Sequence, residues 1–436
     1  MKGRTRRAAA HPAFERLKGD FLPDAPRVAI YCGDGASHSW IWFTDLLERL
    51  ELFDVAFITH EDVLARALDE LDILLVGGGD TYAMAGSLGR EGARLIERFV
   101  TEGGLYHGSC AGAYLVLSGV DLEPFTPFSL VEGNMLNVMP DPPEPLCLAH
   151  KYLAPYGDEW VFHPVYGEVE LVRGPAAEGF SAFGEAGALG APLFGGPVLT
   201  IEDEQCILAD YAGSTARAAF PWPREDADRL ISGEQAVALR RLGDGTVLAS
   251  GPHLEHPLFP RANELMAEAF AQHWAGRPRG TSQSRTQTPR TPAGSAPRGA
   301  DGSLLEIKRQ VSNARIVGFG LEKMPVTWQI GVKVWEPEKI RMFLDYTWDR
   351  LPYLDRAVGS GAPVPGGALE ILAVGFSEVT GLAKTLKLKA ESGQDSQAEA
   401  LSLLTRLKEL TASFLSLYFR LRLEERLGYD RPTLRD

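Results

Sequence analysis

The segment His107–Leu115 reads HGSCAGAYL and sets Cys110 between two glycines in a G-x-C-x-G pattern. Small residues on both sides of a nucleophile permit the sharp strand-to-helix turn that lifts it above the strand ends. The backbone N–H groups that follow then face a reacting carbonyl oxygen. The same positive helix end favours a thiolate. The five residues also fit a buried packing turn around an inert thiol. Late in the chain, His253-Leu254-Glu255 follows the apolar run TVLASGP. A cysteine nucleophile needs a base and a third group to orient it. A His and a carboxylate two apart on an extended segment point to the same side. Gly77-Gly78-Gly79 ends the run LDILLV and offers backbone donors free of side chains.

The elements around these residues alternate strand and helix signals. Arg27–Cys32, Phe53–Thr59, Leu71–Val76 and Leu105–His107 read as strands. They are separated by the helix-patterned SHSWIWFTDLLERL (with Ser37 or Ser39 as cap), EDVLARALDEL and GREGARLIERFVTEGG, and AYLVLSG follows the last strand. That alternation implies βαβ units and a mostly parallel sheet sandwiched by helices, of the flavodoxin-like type. The loops Gly33–Ser37, Gly77–Thr81, Gly108–Gly112 and Gly251–Glu255 all follow candidate strands, so they converge on one rim. From about 121 to 247 the pattern turns β-leaning (VYGEVELV, APLFGGPVLTIE, QCILADY, QAVALRRLGDGTVLAS), which predicts added antiparallel strands. RANELMAEAFAQHWAG closes the region as a helix.

Residues 276–303 contain almost no large apolar side chain and read as a disordered basic linker. Beyond it, LLEIKRQVSNA, EPEKIRMFLDYTWDRLPYL and SQAEALSLLTRLKELTASFLSLYFRLRLEERL predict a separate all-α domain. Its apolar stripes are core, with a docking face for a protein partner or a second copy as the other reading. The expected organisation is a basic tail over 1–24, an α/β domain over 25–275, the linker over 276–303 and a helical domain over 304–436.

The chain has 436 residues and a formal net charge of −14. That sign disfavours nucleic acid and anionic membrane surfaces as partners. The basic residues are unevenly spread: Lys2, Arg4, Arg6 and Arg7 crowd the N-terminus, and Arg277, Arg279, Arg285, Arg290 and Arg298 punctuate the linker. No apolar run is long enough for a membrane helix and no signal-peptide pattern stands at the start, so a cytoplasmic location is expected. Four cysteines exclude a disulfide scaffold, and Cys32, Cys147 and Cys206 read as packing thiols. His38, His150, His163 and His256 form no metal-binding spacing, and no cofactor is expected. His107 reads as a core or rim histidine, Asp34 and Ser37 as caps of the first helix or else as substrate contacts, and Trp40, Trp42 and Phe43 as the apolar face of that helix.

A GGG loop, a G-x-C-x-G elbow and a late H-x-E, in that order, resemble the class I glutamine amidotransferase-like superfamily. YCGDGAS, LLVGGGDTYAM, FVTEGGLYHGSCAGAYL, LFGGPVL and ASGPHLEHP resemble, more narrowly, the N-terminal domain of the eukaryotic type of biotin-protein ligase and its stand-alone relatives. The resemblance covers roughly 25–275. It implies Cys110 as nucleophile, His253 as base and Glu255 as orienting carboxylate. Backbone N–H groups near Gly78, Gly79 and Ala111 would form an oxyanion hole, with Asp80 and Tyr114 at the substrate.

Two departures narrow the expected function. Glutaminases of the superfamily carry Gln four residues after the nucleophile, where this chain has Tyr114. The segment after the α/β region resembles no ligase catalytic domain, so biotin ligation is not the expected activity. Ser109 in GSCAGA also resembles the serine elbow of cyanophycinase-like peptidases, but Gly108 and Gly112 bracket Cys110 symmetrically. The expected function is a cysteine hydrolase or acyl transferase working through a thioester on a small amide-type substrate. The alternative is a catalytically silent ligand-binding or scaffold protein with the same fold.

Overall fold

Four apolar runs of the N-terminal region form strands close to their expected positions: β1 (Val28–Tyr31), β2 (Val55–Ile58), β3 (Ile73–Val76) and β4 (Leu105–Ser109). The structure is a computed structural model that describes residues 12–21, 25–117, 122–142, 152–221, 223–276 and 300–428. The β-leaning middle supplies β5 (Tyr166–Arg173), β6 (Ala188–Phe194), β7 (Ile207–Ser214), β8 (Gln235–Leu242) and β9 (Gly245–Ser250). Together they form one sheet in the order β6-β5-β7-β8-β9-β4-β3-β1-β2. β9, β4, β3 and β1 are parallel neighbours. The pairs β6/β5, β5/β7, β7/β8 and β8/β9 are antiparallel.

Every residue of β1, β3, β4 and β9 is buried. Such strands are covered on both faces, which is why they read as unbroken apolar runs. The register sets their ends level. Ser109 of β4 lies opposite Ser250 of β9, and Gly108 opposite Val76 of β3. The loops at 77, 110 and 251 therefore leave the sheet side by side.

The helices depart from the sequence reading in several places, among them a helix at Arg224–Ile231 inside the β-leaning stretch and a start at Thr81 for the helix read from Gly89. Part of the expected N-terminal tail is a helix, α1 (Pro12–Asp20), because Phe14 and Leu17 are one turn apart and both buried, while Arg16 pairs with Glu268. The helix α2 (Trp42–Arg49) follows a 3-10 turn and has no side-chain cap: Ser39 uses its hydroxyl elsewhere. EDVLARALDEL divides into α3 (His60–Leu64) and a 3-10 turn, since Arg66 adopts a left-handed φ of 68°. The unit is completed by α4 (Thr81–Thr101), α5 (Ala111–Leu115), α6 (Arg224–Ile231) and α7 (Pro260–Ala275).

The C-terminal region is helical as expected: α8 (Ala300–Leu321), α9 (Pro337–Gly359), α10 (Ala368–Glu391) and α11 (Gln397–Arg426). Ile307, Val311, Phe343, Leu344, Phe376 and Phe414 are among its buried residues. It is not purely α, because Trp328–Ile330 and Lys333–Trp335 form a small two-stranded ladder between α8 and α9. The expected linker lies outside the described residues except at its ends, where Gly276 closes α7 and residues 300–303 open α8. The described residues form two compact units, the first mainly those up to 276 together with Gly331–Lys333, the second mainly those from 300 onward. Among the described residues no helix is long and apolar enough to cross a membrane.

Candidate functional site

The chain leaves β4 through Cys110, whose φ of 52° and ψ of −109° are uncommon for a residue with a side chain. Close approach explains the flanking glycines. A Cβ on Gly108 would lie 2.3 Å from Gly112 O, and one on Gly112 would lie 2.3 Å from Val76 O. The Cys110 N–H donates to Ser250 O at 2.9 Å, which ties the turn to the end of β9. Cys110 Sγ is 3.9 Å from Phe194 O, and the residue is buried.

The segment after β9 brings the histidine and carboxylate alongside. Ser250 Oγ donates to Pro252 O at 2.6 Å and the His253 N–H donates to Pro192 O at 2.9 Å, so both ends of the turn are held. His253 Nδ1 is 2.7 Å from Glu255 Oε1, and Ser109 Oγ donates to that same oxygen at 2.8 Å. Glu255 and Ser109 are wholly buried. Gly78 abuts the imidazole, where a Cβ would come within 2.8 Å of His253 Cε1. Trp42 meets the His253, His256 and His38 rings edge-on, with centroids 5.4, 4.4 and 5.1 Å away.

The electrostatics follow from burial opposed by pairing. Burial pushes the Cys110 thiol pKa up, but the His253 imidazole outweighs it and the thiol lies below its ordinary value. Lys333, which clusters with this unit, lowers it further. Burial opposes the charged form of His253 as well. Glu255 and Cys110 overcome it, so the imidazolium pKa is raised. Glu255 is held below the usual carboxylate value because His253 outweighs the cost of its burial. His256 and His163 contrast with this, brought down by burial to about 4 and about 3 respectively.

The remaining candidates divide. The Gly78 N–H already donates to Ser39 Oγ at 2.7 Å, so it is not available to a substrate oxygen. The N–H groups of Gly79 and Ala111 have no backbone acceptor among the described residues. Tyr114 OH accepts from Asn137 Nδ2 at 2.7 Å, and burial pushes the phenol well above its ordinary pKa, so its proton stays on. Asp80 has both oxygens engaged: Oδ1 accepts from Ala83 N at 3.1 Å and caps α4, and Oδ2 accepts from Val332 N at 2.8 Å. The sequence reading missed Ser39, Trp42 and Asn137 as site neighbours. Nothing in their local sequence marks them, because each acts on a residue far away in the chain.

The other residues singled out are structural. His107 gives Nδ1 to Leu248 O at 3.1 Å and packs against Phe43 and Phe270, as a core histidine should. Cys32 and Cys206 are buried, with sulfurs 3.5 Å from Ile58 O and 3.0 Å from Asp203 O. Ser37 Oγ lies 3.1 Å from His38 Nδ1 and caps nothing. Cys147 and His150 lie outside the described residues. Among the described residues no cluster of three or more His, Cys, Asp or Glu is placed to hold a metal ion.

A mixed α/β sheet with a strained cysteine at the end of one of its parallel strands, beside a buried His–Glu pair, is the kind of domain these observations define. Residues 26–136, the stretch from just before β1 through the elbow, match the family described as biotin-protein ligase, N terminal. No curated protein matches the chain. Among solved structures, the β-galactosidase from Bacillus circulans sp. alkalophilus aligns with a TM-score of 0.27 and 13% identity, over 58% of this chain and 33% of that one. The exo-β-1,4-mannosidase Op5Man5 from Opitutaceae bacterium strain TAV5 gives 0.27 and 11%, over 58% and 35%. The β-galactosidase from Rahnella sp. R3 gives 0.28 and 16%, over 58% and 33%. The chain spans about a third of the length of each of these proteins.

Proposed function

We propose that the first unit is an amidotransferase-like cysteine hydrolase or acyl transferase that acts on a small amide-type substrate. The carrying observation is the buried His253–Glu255 pair beside a backbone-strained Cys110 whose thiol pKa that imidazole lowers. In this reading Cys110, His253 and Glu255 act as a triad. The thiol proton rests on His253, and the thiolate attacks the acyl carbon. The carbonyl electron pair moves onto oxygen, where the Gly79 and Ala111 N–H groups receive it. Collapse breaks the carbon–nitrogen bond, the imidazolium proton passes to the leaving amine, and a thioester remains on Cys110. Water then attacks the thioester while His253 takes its proton, and the thiolate departs as the acid is released. Glu255 stays ionised throughout and keeps Nδ1–H pointed at itself, which leaves Nε2 for the thiol. Tyr114, a protonated phenol in place of the glutaminases' Gln, supports an amide substrate other than glutamine.

The test is the rate of Cys110 alkylation by iodoacetamide, with the labelled residue assigned by peptide mapping. A panel of amide, ester and dipeptide substrates is assayed in parallel against Cys110→Ala. Fast alkylation that slows in His253→Ala, with turnover lost in Cys110→Ala, is expected. A Cys110 that reacts no faster than a free thiol and ignores His253→Ala would leave the ligand-binding reading in its place.

A further inference from the structure

The residue beside the nucleophile has a function of its own in this arrangement. Ser109 is the last residue of β4, wholly buried, and its Oγ–H donates to Glu255 Oε1 at 2.8 Å. Its hydroxyl therefore serves the carboxylate and is not poised for attack. Glu255 Oε1 also takes His253 Nδ1 at 2.7 Å, while the buried Oε2 has no hydrogen-bond donor among the described residues. The carboxylate is thus fixed by two bonds at one oxygen, one from the loop it belongs to and one from the central strand. The strand bond is set by register, since Ser109 lies opposite Ser250, from which the chain runs to His253 and Glu255.

The geometry points to Ser109 as a positioning residue that locks the Glu255 carboxylate in the orientation that aims His253 at Cys110. This rests on the triad reading above. A buried carboxylate with one donor fewer is a poorer anion and a freer rotor, so both its charge and its aim depend on the hydroxyl. The ionisable groups around the site include His253 and His256 from the loop after β9, His107 two residues earlier on the same face of β4, Tyr114 and Tyr211 facing Cys110, Asp45 acting on His256, and Lys333 acting on the thiol.

The test follows Cys110 alkylation by iodoacetamide against pH in the full chain, with labelling assigned by peptide mapping. In Ser109→Ala the low-pH midpoint should rise by about one pH unit, because Glu255 protonates sooner and releases the imidazolium. Ser109→Cys, similar in volume and a feeble donor, should shift it the same way and serves if the alanine variant does not fold. In a Glu255→Gln background, Ser109→Ala should move the midpoint no further. A midpoint unchanged in the Ser109 variants, or an equal shift in the Glu255→Gln background, overturns the proposal. A wild-type Cys110 that alkylates like a free thiol at every pH instead overturns the triad reading, so the two failures are distinct.

Discussion

The two units of this protein treat their buried polar side chains differently. In the helical unit, several of these bonds close about one turn away on the same helix, alongside longer-range ones from Thr380 to Gln310 O and from Trp328 Nε1 to Ser396 Oγ, both at 3.0 Å. Thr347 donates to Phe343 O at 3.1 Å, Thr380 to Phe376 O at 2.9 Å, and Gln310 to Glu306 at 2.7 Å. In the α/β unit local bonds such as His253 to Glu255 are joined, around Cys110, by bonds between residues far apart in the chain: Ser109 to Glu255, Asn137 to Tyr114, Gly78 to Ser39. The backbone divides in the same way. Among the described residues, Glu51, Arg66 and Cys110 have positive φ in or beside the α/β unit, whereas every positive φ from 300 onward is at glycine. Local satisfaction lets a polar group into a core without fixing anything distant. Long-range satisfaction fixes several side chains against one another, as a reacting group requires.

That contrast is best broken by perturbing each side in turn. The largest effect should be His253→Ala, which lowers iodoacetamide reactivity at Cys110 by roughly 100-fold or more. Reactivity within threefold of wild type (a ~0.7 kcal/mol effect) would make the polar network of the α/β unit as inert as that of the helices. Next, Phe376→Ala should cost the helical unit about 3–5 kcal/mol in urea unfolding. Cys110 reactivity should be untouched by it, and a parallel loss would erase the distinction.

A pH signature should sharpen the comparison within the α/β unit. His253 has a pKa raised, against its burial and chiefly by Glu255, to about 10. Its stabilisation is therefore whole below the unfolded value of about 6.5 and is lost as pH rises through about 10. His107 is lowered by burial to about 4, so its contribution is whole above about 6.5 and is lost as pH falls through about 4. Urea unfolding of His253→Gln and His107→Gln across that range should show differences from wild type of opposite pH trend. The smallest effect should be Thr380→Val, about 1 kcal/mol in unfolding with no change in thiol chemistry.

Much of the candidate site's geometry was legible in the sequence because its pattern is short-range. G-x-C-x-G and H-x-E each occupy a few residues, and the apolar runs before them could only be buried strands. The fold was legible for the same reason, with exceptions that have physical causes. The helix Ala368–Glu391 did not stand out, since its Gly375 and Gly381 and its β-branched residues weaken the helical signal. The five-residue α3 looked longer, because nothing in EDVLARALDEL announces the left-handed Arg66. The expectation that Gly78 supplies an oxyanion donor failed because the 3-10 turn before α2 brings Ser39 to that N–H.

The sequence by itself determined which residue types are available and the face each presents, because strand alternation and glycine spacing are local rules. It gave the elbow, the His–Glu pair and the acidic charge balance. Only the tertiary structure decided which donor each buried oxygen receives. The level ends of β3, β4 and β9 bring Ser109 to Glu255, and β6 holds His253 through Pro192 O. Those pairings are properties of sheet order and register, which couple residues more than a hundred positions apart in the chain.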